Sequence, residues 1–379
     1  MTGMEFKSSP RFSLGMEIEL QLLNPNTLQL VDGILPLLAQ EPQNSLIQPE
    51  FNQASVEITS PVCGDVYELE ANILDILSRL KGKCQNLGMD ICTAGTHPLC
   101  HRLTTVTPIP RYLAQQTVSG YLADMMMTFA LHIHVGMPSG DSAVDIMARL
   151  KPYLSILLAL SASSPFWWGH DTSFASYRHR FLSSMRTYGV PPKFATWQDF
   201  ADFFTTAQKA GMFDIIRDIH WDLRPQPNLG TLEVRVMDAQ PTVKESIMLA
   251  AFVHSLIVYL YNCREQTTTG FLLAPLPWLM EKENLFRASR WGLDANYIED
   301  CQGNSRPIRN IVKDILEDLA ITADSLAEQP YLNLLAQRLE TGPSYIRQRQ
   351  VFESTGSLKA VVASLVRELE QELTLHQQL

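Results

Sequence analysis

The stretch Phe12-Ser-Leu-Gly-Met-Glu-Ile-Glu-Leu-Gln-Leu22 decides the fold class. Its even positions, Phe12, Leu14, Met16, Ile18, Leu20 and Leu22, are all apolar, and its odd positions are not. Period-two alternation marks a strand with one buried face. Arg11, Ser13, Gly15, Glu17, Glu19 and Gln21 then share the other face, with Glu17 and Glu19 side by side at about 7 Å. A single Glu-x-Glu is also what an ordinary solvated strand carries, so the rest of the chain has to decide between the two.

Three further stretches do so. Thr128-Phe-Ala-Leu-His-Ile-His-Val-Gly-Met137 alternates as strictly, with His132 and His134 opposite Leu131, Ile133 and Val135. Leu229-Gly-Thr-Leu-Glu-Val-Arg-Val-Met-Asp238 sets Thr231, Glu233 and Arg235 opposite Leu232, Val234 and Val236, and Ser55-Val-Glu-Ile-Thr59 adds Glu57 opposite Val56 and Ile58. Solvated faces would favour Lys, Thr and Ser. These faces carry four carboxylates, two imidazoles and a guanidinium. Brought together in one sheet, two carboxylates ~4 Å apart repel by about 4 kcal/mol at an effective dielectric near 20. A divalent cation removes that penalty. Strict one-face alternation also means an antiparallel or mixed sheet, because strands of a doubly wound parallel sheet are continuously apolar. The class is α+β, with residues 1–379 read as a single domain because the putting together of one face draws on residues from 11 to 235.

The chain has 379 residues and a formal charge of -10. Without Lys/Arg runs, that balance argues against a nucleic-acid groove or an anionic membrane surface. Its six cysteines form no C-x-x-C, and Glu5, Lys7 and Arg11 stand where a secretory signal needs an apolar core. The expectation is a reduced, cytoplasmic protein acting on small molecules. The apolar runs near 153–160 and 247–260 are shorter than the ~20 residues of a membrane span, so they read as buried helices.

In chain order, Asp65 opens a helix with the 3.6-residue period of Val66, Leu69, Ile73, Ile76, Leu77 and Leu80. A short strand around Ile91 runs into Gly95-Thr-His-Pro98, a turn expected to display His97. Residues 108–127 read as helical, and Asp141 or Ser142 as the cap of a helix to Leu150. The irregular segment 161–192, rich in Arg and aromatics, reads as a substrate lid carrying Asp171, Ser176, Arg178 and Arg180. Helices follow at 196–211 and 241–261, a polar loop at 264–269, and helices at 308–319, 325–339 and 358–375, with no alternating strand in the last third.

No G-x-x-x-x-G-K-[ST] or G-x-G-x-x-G occurs; Gly82-Lys83 lacks the upstream glycine. A bound nucleotide would therefore be held by metal and arginine. Carboxylates with one or two imidazoles suit Mg²⁺ or Mn²⁺. Arg235, on the face of Glu233, can bridge two phosphoryl oxygens as a lysine cannot, and phosphoryl transfer needs little beyond positioning and charge neutralisation.

Gly15-Met-Glu-Ile-Glu, Gly95-Thr-His-Pro, His132-Ile-His-Val-Gly, Asp171-Thr-x-Phe-Ala-Ser, His220-Trp-Asp-Leu-Arg-Pro-Gln-Pro, Gly230-Thr-Leu-Glu-Val-Arg-Val-Met-Asp and Arg290-Trp-Gly-Leu together resemble the YbdK-type carboxylate–amine ligases, the type 2 glutamate–cysteine ligase family. The resemblance runs in order over nearly the whole chain. It implies a glutamine-synthetase-like fold, an antiparallel sheet with one polar active face and helices on the other. It further implies ATP and Mg²⁺ (or Mn²⁺) as cofactors, an acyl-phosphate intermediate, glutamate and an amine such as cysteine as substrates, and a homo-oligomer, commonly a dimer. Carried over by position, Glu17, Glu19, Glu57, His134 and Glu233 are the metal candidates. His132, Arg224 and Arg235 are the nucleotide or phosphate candidates, Glu233 and Arg235 the catalytic pair, and His97 and Arg290 match motifs without a defined role. The chain departs from many relatives at Ser173 in the lid, where they carry Arg or Gly, and from some at Gln53, where an acid is expected. The competing reading is a metal-dependent hydrolase, since His-x-His with scattered carboxylates also builds dinuclear sites; such barrels alternate strand and helix throughout.

Overall fold

Alternation in 14–22 produces β1 (Leu14–Leu23), whose even residues Leu14 to Leu22 are buried. The structure, a computed structural model, describes residues 4–40, 45–265 and 273–377. With β2 (Ile47–Pro49), β3 (Ser55–Thr59), β4 (Asp90–Cys92), β5 (Leu131–Gly136) and the strands Leu223–Gln226 and Thr231–Val234, β1 forms a seven-stranded sheet. Across the sheet the order is Leu223–Gln226, Thr231–Val234, β5, β1, β3, β2, and β4 pairs the far end of β1. Every pairing in it is antiparallel.

Register turns alternation into rows. Arg224, Glu233, His134 and Gly15 lie opposite one another across four strands. One step along, His132 faces Glu17, and the next step sets Glu19 against Glu57 and Glu57 against Gln48. A one-residue slip of any strand would move its charged set into the core, so the apolar face enforces the polar constellation.

That apolar face is covered by helix Val66–Asn86, whose Asp65 side chain accepts from the Tyr67 and Glu68 N–H groups, and by helix Val243–Asn262, capped by Thr242. Among the described residues the second of these is the one helix long and apolar enough to cross a bilayer, and 89% of its apolar window is buried inside the protein. At 20 residues it is longer than the sequence run suggested, and its place behind the sheet makes it a core helix.

Several expectations are corrected. Phe12 precedes the strand at φ 59 with its ring edge-on to Tyr261, and Arg11 stacks over both rings, which takes it off the polar face. Ser139, not Asp141 or Ser142, caps helix Gly140–Leu150. The last third contains a hairpin, Asn296–Ile298 with Ser305–Pro307, too short to show alternation. It also contains helix Ser344–Thr355, which buries only Ser344, Tyr345 and Gln348 and so has no apolar stripe to read. The neighbouring helices, Ile308–Ser325, Gln329–Thr341 and Leu358–Gln377, run two to six residues past the periodic stretches. Most of the 264–269 loop lies outside the described residues.

The N-terminal segment is seated on the turn between the last two sheet strands. The Lys7 N–H donates to the Pro227 carbonyl at 2.9 Å, and a Cβ on Gly230 (φ +68) would stand 1.9 Å from the Lys7 carbonyl oxygen. Gly230→Ala combines a left-handed backbone with a collision against backbone. It is expected to destabilise the fold by about 1–3 kcal/mol, read as a lower urea midpoint. An unchanged midpoint would mean that this segment does not rest on the turn in solution.

Candidate active site

The row structure brings Glu17, Glu19, Glu57, His132, His134 and Glu233 onto one face from four strands. Glu17 bridges both imidazoles: its Oε2 is 3.0 Å from His132 Nδ1 and its Oε1 3.3 Å from His134 Nε2. Burial pushes the Glu17 carboxyl up, but the two histidines overcome this and hold it well below the usual range. His132 is pushed down to about 4, first by burial and then by the Arg235 charge. With Glu17 ionised and His132 neutral, the proton of His132 sits on Nδ1 and is donated to Glu17. Its Nε2 lone pair, buried without a hydrogen-bond partner among the described residues, is then free to ligate. His134 uses Nδ1 on the Thr231 hydroxyl at 3.0 Å. Burial would lower its pKa, yet the carboxylates of Glu233 and Glu17 raise it.

Glu233 is fully buried and held by arginine. Its Oε2 accepts from Arg224 Nε at 2.9 Å and Gln226 Nε2 at 2.7 Å, and its Oε1 from Arg224 Nη2 at 3.1 Å and from Arg235 Nη1. Although burial raises its pKa, the charges of Arg224 and Arg235 bring it far below normal. Arg224 spends its remaining nitrogen on the Ile219 and Arg217 carbonyls, at 2.7 and 3.2 Å. With every guanidinium nitrogen on a protein acceptor, Arg224 is corrected from a phosphate contact to the clamp that fixes Glu233. Arg235 Nη1 also lies 3.4 Å from His132 Nδ1, which places this guanidinium at the edge of the imidazole pair.

Among the described residues, two three-residue groups offer ligand atoms within 4.8 Å of one another: Glu17, His132 and Glu233, and Glu19, Glu57 and His132. His132 belongs to both groups and His134 to neither, so the geometry favours the first histidine of His-x-His as a ligand. The second group gains a carboxylate that alternation did not reveal. Glu50 raises the pKa of both Glu19 and Glu57, and hydrogen-bonds to Glu57. Burial first and the charge of Glu50 second push Glu19 up to about 8, although its Oε2 accepts the Ala130 N–H at 2.8 Å. Glu57 is raised well above normal by burial and by Glu17, Glu50 and Glu19. Half-buried carboxylates that repel one another, beside an orphaned imidazole nitrogen, are a donor set suited to a hard divalent cation. Gln48 and Glu50 alternate onto the side of Glu57, but Pro49 and a three-residue strand hide the pattern.

The lid candidates divide. Arg178 is buried beside the site, whereas Asp171 pairs with Arg349 at 2.8 Å and Arg180 lies over the Phe286 ring, both away from the sheet face. Ser176 caps helix Tyr177–Leu182 and donates to Asp238 at 2.9 Å, which makes it part of the scaffold. His97 is not displayed. It is buried with Nε2 at 3.0 Å from the Leu28 carbonyl oxygen, and burial brings its pKa down to about 4. Arg290 stacks over Phe174, and Gln53 donates to the Val106 carbonyl.

Comparison with known proteins fits this geometry. The sequence profile of glutamate-cysteine ligase family 2 (GCS2) matches residues 13–364. A protein of Trichormus variabilis with the provisional name glutamate–cysteine ligase 2 is 75% identical over 375 residues, 99% of this chain and 97% of its own. One of Bdellovibrio bacteriovorus with the same provisional name is 36% identical, covering 97% of each. Among solved structures, a glutamate–cysteine ligase from Francisella tularensis in complex with AMP superposes with a TM-score of 0.65 at 12% identity, over 99% of this chain and 95% of that one. A bifunctional glutathione synthetase from Pasteurella multocida gives a TM-score of 0.69 at 13% identity over 96% of this chain, which spans about half, 52%, of that longer protein. Likeness at such identities shows the fold alone, and it is the glutamine-synthetase-like ligase fold.

Proposed function

The chain belongs to glutamate–cysteine ligase family 2 and is an ATP-dependent carboxylate–amine ligase; from that premise we propose that it joins the side-chain carboxylate of glutamate to an amine, cysteine foremost, through an acyl phosphate. The observation that carries this reading is the face on which Glu17, Glu19, Glu57 and His132 meet beside Arg235. A carboxylate oxygen of the donor attacks the γ-phosphorus, the bond to the β–γ bridging oxygen breaks, and ADP leaves. The amine nitrogen then attacks the acyl carbon, phosphate departs and the nitrogen loses a proton. Charge neutralisation and alignment supply most of such catalysis.

Glu19, Glu50, Glu57 and His132, with Glu17 alongside, would hold Mg²⁺ or Mn²⁺, which supplies neutralisation of the phosphate charge. Arg235 presents its guanidinium toward the transferring group. Glu233 fixes Arg224 and Arg235, and Glu17 fixes the tautomer of His132. The antiparallel sheet gives no support to the hydrolase alternative, whose barrels alternate strand and helix.

Hydroxylamine, a small strong amine, tests the reaction order. Glutamate, ATP and hydroxylamine are expected to give a hydroxamate with ADP and phosphate in equal amounts, and none without ATP. AMP and pyrophosphate would replace this scheme by adenylate chemistry. Metal-dependent ester cleavage with no hydroxamate from any carboxylic acid would return the hydrolase.

A further inference from the structure

Gly189 lines a cleft together with Arg235, and its neighbour Val190 lines another, between helix Trp278–Trp291 and the turn Lys151–Tyr153 that leads into helix Leu154–Ser161. No residue of the polar sheet face lines this second cleft. Its mouth and interior hold about 200 Å³. Pockets for drug-sized molecules hold about 300–1,000 Å³, so this one suits a small ring or a short chain. Lys151 Nζ and Glu281 Oε2 both line it, 3.5 Å apart, and neither side chain has another hydrogen bond or ion pair among the described residues. Charge-assisted bonds are about 2.7–2.9 Å long, so the pair is compensated in charge but open in its hydrogen bonds. Glu281 is 6% exposed, and beside it Ser155, 2% exposed, has no partner for its hydroxyl.

A buried serine in a helix ordinarily donates to a carbonyl one turn back, as Ser161 does to Leu158, Ser246 to Thr242 and Ser364 to Val361. For Ser155 that turn is a 3₁₀ turn containing Pro152, whose carbonyl accepts the Tyr297 hydroxyl at 3.3 Å instead. The Ser155 hydroxyl is left for the cleft. Ammonium and carboxylate cancel here, so a further anion or cation would be a buried charge without a counterion. The complementary ligand is therefore neutral, with an N–H for Glu281 and a carbonyl oxygen for Lys151 and Ser155. We propose that this cleft is an effector site for a small neutral amide, a primary carboxamide or a lactam ring. It stands on its own geometry, whichever carboxylate and amine the ligase joins.

The walls are fixed. Asn284 donates to the Ile298 carbonyl at 3.0 Å and accepts the Ile298 N–H at 2.7 Å, which ties helix Trp278–Trp291 to the hairpin and leaves its amide no part in the recognition. Pro152, Leu285 and Val190 supply apolar surface. Val190 also connects the cleft to the chemistry. Gly189 before it has φ +110, a conformation that favours glycine. Tyr188–Gly189 pairs in parallel with His220–Trp221, and the Gly189 carbonyl accepts the Asp222 N–H at 2.9 Å. An occupant that presses on Val190 therefore bears on the backbone of Tyr188 and Asp222, which stand beside Arg235.

The test titrates acetamide, 2-pyrrolidinone, acetone, cyclopentanone and acetate into the full-length protein by ligand-observed NMR, with folding checked by circular dichroism. Each amide is expected to bind about tenfold or more tighter than the ketone of its shape, and tighter than acetate. The double variant Lys151→Met/Glu281→Leu removes the pair together, so no lone buried charge remains, and is expected to erase the preference. Ser155→Ala, which spares the fold should the double variant disturb it, is expected to weaken both amides by about threefold or more. MgATP affinity, measured by calorimetry at rising 2-pyrrolidinone, is expected to shift by about fivefold and then level off. Amides bound no better than ketones, or bound equally by wild type and Ser155→Ala, overturn the site. A MgATP affinity that never shifts overturns its role as an effector site, and one that falls without limit overturns its separateness from the nucleotide pocket.

Discussion

Glu233→Gln is expected to lower turnover by about a hundred- to a thousandfold and to destabilise the fold by about 3–5 kcal/mol. The substitution keeps the shape and removes one charge. In the native protein that charge compensates two guanidiniums at once, Arg224 and Arg235, and accepts from Gln226 as well. Without it Arg224, 5% exposed, becomes an uncompensated buried cation, and Arg235 loses the anchor that holds it beside His132. ADP release and urea unfolding read the two effects. A variant with native stability and low turnover would separate the roles and leave Glu233 purely catalytic. One with native turnover would make the pair of arginines independent of it.

The second large effect is the coupling of metal to protons. Glu19 titrates near 8 and Glu57 is raised well above the usual carboxylate range, so at pH 7 without metal this group carries bound protons. A cation must displace them. Below about pH 8 the affinity for Mg²⁺ or Mn²⁺ is then expected to fall at least about tenfold for each unit of pH lost, one factor of ten for each proton displaced. Calorimetry at pH 7 in two buffers of different ionisation enthalpy should show protons released on binding, and EDTA should abolish nucleotide affinity. Proton uptake, or ATP affinity indifferent to EDTA, would remove the carboxylates from the cation site.

Why some of this was legible and some not follows from the kind of signal each residue leaves. Glu17, Glu19, Glu57, His132 and Glu233 lie on strands, and Arg235 directly follows the end of one, in stretches that alternate long enough for parity to assign their face. Parity does not assign partners. Nothing in the order of residues says that Arg224 and Arg235 converge on Glu233, or that His132 rather than His134 comes within reach of both groups of carboxylates. Glu50 hides just past Pro49, beyond the end of a three-residue strand. Tyr188 sits in a two-residue strand and Asp222 between two short ones, where no period can be read, and Arg178 and Arg180 look alike in sequence while one is buried beside the site and the other lies over the Phe286 ring. His97 reads as exposed because its turn is glycine- and proline-flanked, whereas the Leu28 carbonyl that buries it comes from 69 residues earlier.

Antiparallel pairing of β1 with β5, and of β5 with the Glu233 strand, joins segments more than a hundred residues apart in the one case and almost a hundred in the other. During synthesis the ribosome therefore releases Glu17, Glu19 and Glu57 long before their counterweights, and a nascent chain that has not yet reached Arg235 exposes unpaired strand edges with repelling carboxylates upon them. Such edges are where chains mispair, and contacts this distant in sequence form late. The interval between the emergence of β1 and that of the Glu233 strand is thus the period in which the edges that this sheet later pairs stand open.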